Sequence, residues 1–293
     1  MQNLRRRLGP GAALLAASFA LACTHGPPPQ PPGQTEERRL AVPEGWLQGS
    51  ALGIGPGVPL VLIHGVGGDH HLFDPQLREF RAARRVLAYD QIGCGESSDS
   101  PRGLYDLATR VGILGTVLDA VRMDATVLLG HGEGGQVVAR YARQRPSRVV
   151  GLVLLAPLSE DAEAARLAST PDDQFLAAVA QWQEGLLGGS VDTTREAVLA
   201  AARKARVPAT RAMLADIVGA GLAEDVAAYP GPVLVVLAPG QTAPRGLRPE
   251  VQTFTMPAGS HWFQLDRPDA LNERLREFLK PLDEAAAKRR RSG

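Results

Sequence analysis

The chain has 293 residues, 44% hydrophobic and 22% charged, with a formal net charge of +1. That suits one large globular domain or two modest ones, and it says nothing about activity. A near-neutral charge gives no electrostatic case for nucleic acid as a partner, and the basic run Lys288-Arg289-Arg290-Arg291 reads as part of a solvated charged tail, 281–293.

At the N-terminus, Arg5-Arg6-Arg7 precede an apolar stretch, 12–22, that is too short to span a bilayer as a helix. Residues 1–22 therefore read as a secretory signal peptide. They end in Ala20-Leu21-Ala22-Cys23, which resembles a bacterial lipobox, in which cleavage precedes the cysteine and the thiol receives lipid. Loss of the signal's three arginines turns the net charge of +1 into about −2. Residues 23–39 form a proline-rich linker (Pro27, Pro28, Pro29, Pro31 and Pro32), a composition that favours extended polyproline II and suits a spacer. The expected location is the bacterial cell envelope, periplasm-facing or at the outer membrane, with acyl chains on Cys23 as the membrane anchor. With Cys23 lipidated, Cys94 stands alone and no internal disulfide is possible.

From about residue 40, apolar runs alternate with amphipathic segments, the pattern of a mainly parallel sheet flanked by helices. Strands are expected at 60–63, 85–89, 126–129, 152–155, 233–237 and 251–255, most of them continuous runs as for strands buried on both faces. Helices are expected at 104–122, at 133–145 (stopped before Pro146) and at 268–279. The stretch 158–229 has helical segments at 173–187 and 194–205 with no good strand between them. It reads as an inserted helical cap between core segments 40–157 and 230–280. Phe175, Trp182, Leu186 and Leu187 are first of all its core and only secondarily pocket lining.

Four motifs lie at strand ends: His64-Gly65-Val66-Gly67-Gly68; Asp90-Gln91-Ile92-Gly93-Cys94-Gly95-Glu96-Ser97; Gly130-His131-Gly132-Glu133-Gly134-Gly135; and Ala258-Gly259-Ser260-His261-Trp262. In this order they resemble the α/β-hydrolase family in its capped form, over roughly 60–279, with loops similar to those of proline iminopeptidases and esterases. The resemblance implies the α/β-hydrolase fold. It also implies an oxyanion hole from the backbone N–H groups of Val66 and Glu133, with the catalytic base at His261. The family's nucleophile elbow is G-x-S-x-G, and its serine position is Gly132 here, a residue with no atom that can attack a carbonyl. The orienting acid of the triad should follow the run 233–237, where alignment places Gln241. The stretch 238–247 contains no acid at all, so a shift of register does not supply one. A glutamine can hold an imidazole by a hydrogen bond but cannot stabilise an imidazolium by charge. Some family members carry the acid after the preceding strand, which would nominate Glu160 or Asp161; the alternative for both is exposed charge at the cap entry.

Other residues offer less. Cys94 reads as a structural cysteine, Ser97 and Ser98 as turn formers, and the Glu133 side chain as help for a helix N-terminus. Gly130, Gly132 and Gly135 also satisfy G-x-G-x-x-G, but the next strand ends without an acid for a ribose hydroxyl, so no dinucleotide or other cofactor is expected. His70-His71 reads as an adjacent pair diverging in an extended loop without carboxylates at ligand spacing, so no metal is expected. Three functions stay open. One is a non-hydrolytic protein that binds a small, largely apolar ligand, or a protein partner, between sheet and cap. Another is a weak or unconventional hydrolase of small esters or amides that uses His261 and a water. The last is a purely structural envelope protein, which predicts a filled pocket between sheet and cap.

Overall fold

The computed structural model describes residues 36–159 and 161–292. The signal peptide, Cys23, most of the linker and Glu160 lie outside the described residues. In chain order the elements begin with strands β1 (Glu36–Val42), β2 (Gly45–Leu52) and β3 (Gly57–Ile63). A 3-10 turn at His70–Phe73 leads into α1 (Asp74–Phe80), followed by β4 (Arg84–Tyr89), α2 (Leu107–Ala120), β5 (Thr126–His131), α3 (Gly134–Gln144) and β6 (Val149–Leu155). Five helices come next: α4 (Ala162–Ala168), α5 (Asp172–Leu186), α6 (Asp192–Ala202), α7 (Val207–Gly219) and α8 (Leu222–Ala228). The chain closes with β7 (Val233–Leu237), β8 (Gln252–Thr255), α9 (Phe263–Asp266) and α10 (Pro268–Ser292).

The eight strands form one sheet in the order β1-β2-β4-β3-β5-β6-β7-β8, parallel from β4 to β8 and antiparallel at the β1–β2 and β2–β4 pairings. The continuous apolar runs are explained by two cores, one on each face. Along β3, Val61 and Ile63 enter one core while Leu60 and Leu62 enter the other, and β5 and β7 alternate in the same way. Helices α2 and α3 cover the first face, and α1 and α10 the second. Among the cap helices, α8 packs on α3, where Arg140 Nε meets the buried Asp225 carboxylate at 2.6 Å.

Two boundaries differ from the sequence expectation. The hairpin β1–β2 was not expected, and β1 begins at Glu36, inside the stretch assigned to the linker. Its strands mix polar and apolar residues, as edge strands do, so they give no continuous apolar run to detect. The expected charged tail is mostly helix, because α10 runs through Pro281 to Ser292. Proline removes one helical N–H, but side-chain anchors beyond it keep the helix in register. Leu282 and Ala286 pack on the second core, and Asp283 holds the buried Arg84 guanidinium at 2.8 and 3.1 Å while accepting from Val58 N.

Candidate functional site

The site is built where β3 and β5 end. β5 passes directly into α3 through Gly132, whose φ of +55° lies in the left-handed region that glycine adopts without a β-carbon penalty. Gly132 N donates to Leu155 O at 2.8 Å, which fixes the turn against β6. A β-carbon built on Gly132 would stand 3.2 Å from His261 Nε2. The one position in the elbow able to present a nucleophile therefore faces the imidazole, and it carries a hydrogen atom.

The loop after β3 lies against this turn. A β-carbon on Gly65 would come within 2.8 Å of His131 O and 3.1 Å of Glu133 N, so only glycine allows the approach. The loop is fixed from both sides: Gln91 N donates to His64 Nε2 at 2.9 Å, Gln91 Nε2 to His64 O at 2.7 Å, and from the cap Gln183 Nε2 to Val66 O at 2.9 Å. The N–H groups of Val66 and Glu133 have no hydrogen-bond acceptor among the described residues. Two unpaired amides on adjoining loops are what an oxyanion site requires.

His261 is held by its backbone rather than by its ring. Its N–H donates to Leu186 O at 3.2 Å, its carbonyl faces His131 Nε2 at 3.0 Å, and Trp262 meets the ring edge-on at 5.0 Å between centroids. The imidazole makes no hydrogen bond among the described residues. Burial, with the neighbouring His131 second, drives its pKa well below the ordinary histidine value, so the ring is neutral at pH 7. Burial also lowers His131 to about 4.

The acid side differs from the expectation for Gln241. Its amide does not hold the imidazole; Gln241 Nε2 donates to Pro157 O at 2.8 Å and its Oε1 accepts from Ala238 N at 3.0 Å, so the side chain ties two backbone turns together. Asp161 is no substitute, because it caps α4 by accepting from Glu163 N at 2.8 Å and Ala164 N at 3.3 Å. Glu160 falls outside the described residues. The buried carboxylate near His261 in sequence, Asp266, accepts from Ser260 N and Ser260 Oγ at 2.7 Å each and shapes the loop without reaching the ring.

The Glu133 side chain also departs from its expected place at the helix end. It makes no cap hydrogen bond; it is fully buried and accepts from Arg110 Nη1 at 2.8 Å, while Arg110 also pairs with Gln91 and with Asp216 of α7. Burial raises its carboxyl to about 7 against the lowering pull of Arg110. Cys94 lies buried beside Met213, its thiol pushed up to about 12 by burial, which disfavours the thiolate a nucleophile needs. Ser97 Oγ accepts from Gln48 N and Ser98 Oγ from Trp46 N, which sews their loop to β2.

The expected pocket between sheet and cap is nearly filled. Val66, Leu72, Trp182, Leu186 and Trp262 close around His261 and leave a cavity of about 10 Å3, the space of roughly one water. A larger groove of about 340 Å3 lies on the cap, lined by Ala178, Trp182, Gly185, Leu186 and Gln181 with Glu163 and Arg166. Trp182 and Leu186 line both spaces and form the wall between them. The sequence reads these two as cap core first and pocket lining second, and here they are both, partly buried against the cores and lining both spaces.

His70 and His71 are not in an extended loop. They open the 3-10 turn with ring centroids 4.0 Å apart, and the fold brings the Glu37 carboxylate from β1 to within 3.4 Å of His70 Nε2.

A profile described as the Alpha/beta hydrolase family matches residues 60–274. Among curated proteins, the chain is 37% identical over 103 residues to 1-acylglycerol-3-phosphate O-acyltransferase ABHD5 of Rattus norvegicus, covering 34% of this chain and 29% of that protein. It is 32% identical over 126 residues to proline iminopeptidase of Heyndrickxia coagulans, covering 41% and 43%. The chain thus spans less than half the length of these two relatives. Among solved structures, bromoperoxidase from Bacillus anthracis superposes with a TM-score of 0.72 at 21% identity, covering 84% of this chain and all of that one, a likeness of fold alone.

Proposed function

The chain belongs to the alpha/beta hydrolase family, and from that premise we propose that it is a non-hydrolytic member, a binding protein anchored by lipid on Cys23 to the bacterial cell envelope. One observation carries the reading. The atom position 3.2 Å from His261 Nε2 belongs to a glycine, and the imidazole beside it has no hydrogen-bonded partner among the described residues. Acyl transfer through an enzyme ester needs a nucleophile, a base and a group that stabilises the charged base. Here the nucleophile has no side chain, and Gln241 is turned to the backbone.

Binding uses the cap. The groove beside Trp182 and Leu186 has the volume of a small-molecule site, an apolar floor, and Glu163 with Arg166 to orient a polar end. A small, largely apolar ligand fits that chemistry better than a protein partner, which needs a broader surface. The name of the ABHD5 relative refers to an acylated glycerol phosphate, so acyl compounds are the first ligands to try. A second reading, weak hydrolysis by a water on His261, is favoured by the unpaired amides of Val66 and Glu133 and by the water-sized cavity.

A panel of acyl esters separates the two. Wild type should bind them, with Trp182 fluorescence reporting saturation, and leave them intact; turnover that disappears in His261→Ala overturns the binding reading. The anchor has its own check: the full chain should fractionate with membranes, and Cys23→Ser should move it to the soluble fraction.

A further inference from the structure

We propose that Glu37, His70 and His71 form a binding site for a divalent transition-metal ion, zinc by its donor set, separate from the elbow. The side chain of His70 is completely buried. Its Nδ1 lies 2.6 Å from Asp90 Oδ1, itself buried, and the same oxygen accepts from His70 N at 2.7 Å. A carboxylate accepts and does not donate, so the ring proton sits on Nδ1 and the Nε2 lone pair points away from Asp90. A buried carboxylate behind an imidazole is how proteins fix the tautomer and raise the basicity of a metal-binding histidine.

His70 Nε2 then has no hydrogen bond, although it is buried. It faces Glu37 Oε2 at 3.4 Å. Two acceptors so placed repel one another unless something positive lies between them. Ligand atoms of a tetrahedral zinc, at bond lengths of about 2.0–2.2 Å, stand about 3.3–3.5 Å apart, which is the separation seen. Glu37 is held in place as a ligand would be: Ser50 Oγ donates to Oε1 and Gln48 Nε2 to Oε2, each at 2.7 Å. His71 supplies the third donor, with one ligand atom of each of the three residues within 4.8 Å of the others. Its ring is half exposed and faces Asp74 at 3.6 Å, a contact it would exchange for the metal. Two imidazoles and a carboxylate suit zinc rather than calcium or magnesium, and the exposed side of Glu37 and His71 leaves a fourth position for water.

The alternative occupant of the gap is a proton, with His70 as an imidazolium between Asp90 and Glu37. Metal uptake decides. The full chain, stripped with chelator and dialysed against zinc alone, should retain one equivalent at this site and melt at a higher temperature with zinc than without. Glu37→Gln and His71→Ala alter half-exposed side chains, so both should fold. Each should weaken zinc binding at least tenfold and abolish the zinc-dependent rise in melting temperature. Absence of zinc uptake by wild type, or uptake and thermal shift unchanged in either variant, overturns the site.

Discussion

Two buried histidines in this molecule have opposite surroundings. His70 has a carboxylate at 2.6 Å on one ring nitrogen and another at 3.4 Å from the second. His261, at the family's catalytic position, has no hydrogen bond to its ring among the described residues and only another histidine as a charge neighbour. An imidazole becomes a strong base or ligand through the carboxylate behind it. Among the described residues, that carboxylate stands behind the histidine of the loop after β3 and not behind the one at the elbow.

Substitution by an apolar residue should expose the contrast most strongly. In His70→Leu the buried Asp90 carboxylate loses its imidazole donor and keeps the backbone N–H groups of residues 70 and 96, which should cost about 1.5–3 kcal/mol by chemical denaturation. In His261→Leu no ring hydrogen bond is lost, so the change should stay within about 1 kcal/mol. Equal losses would break the comparison. A smaller effect is expected at the elbow. Gly132→Ser must place a β-carbon residue at φ +55° and 3.2 Å from His261 Nε2. It should destabilise by on the order of 1–3 kcal/mol with the fold intact. An unchanged or raised melting temperature would contradict a strained elbow at this position.

The pH dependence differs in sign between groups. The folded-state pKa of His261 is depressed, so its contribution to stability is present above about 6.5 and lost as pH falls. His261→Leu should therefore gain on wild type as the solution is acidified below that point. The Glu133 carboxyl is raised from 4.5 to about 7, so its contribution is present below 4.5 and lost as pH rises through 7. Glu133→Gln should gain on wild type over that rise. Parallel denaturation curves of the three proteins from pH 4 to 8 test both signs, and crossings in the opposite order would refute the assignment of these environments.

Much of the fold was legible because strands buried on two faces leave continuous apolar runs, and β3 to β7 each do so. The hairpin β1–β2 and the end of α10 were not. Edge strands carry mixed residues, and the last turns of α10 are kept by Asp283 on Arg84, a contact 199 positions apart in the chain. In the site, a glycine in the elbow, a histidine facing it and an acid-free loop at 238–247 could be read directly. The direction of a polar side chain could not: Gln241 turned to Pro157, Glu133 to Arg110 and Asp266 to Ser260.

By itself, then, the sequence determined which chemical groups exist at the elbow, because a glycine has no nucleophile in any conformation. Only tertiary structure decided which groups meet. Glu37 and His70 are far apart in sequence and brought together by strand pairing, and Trp182 and Leu186 become a wall only when the cap closes over the sheet. Periodicity records which face of an element is buried, whereas a contact between elements depends on how those faces pack.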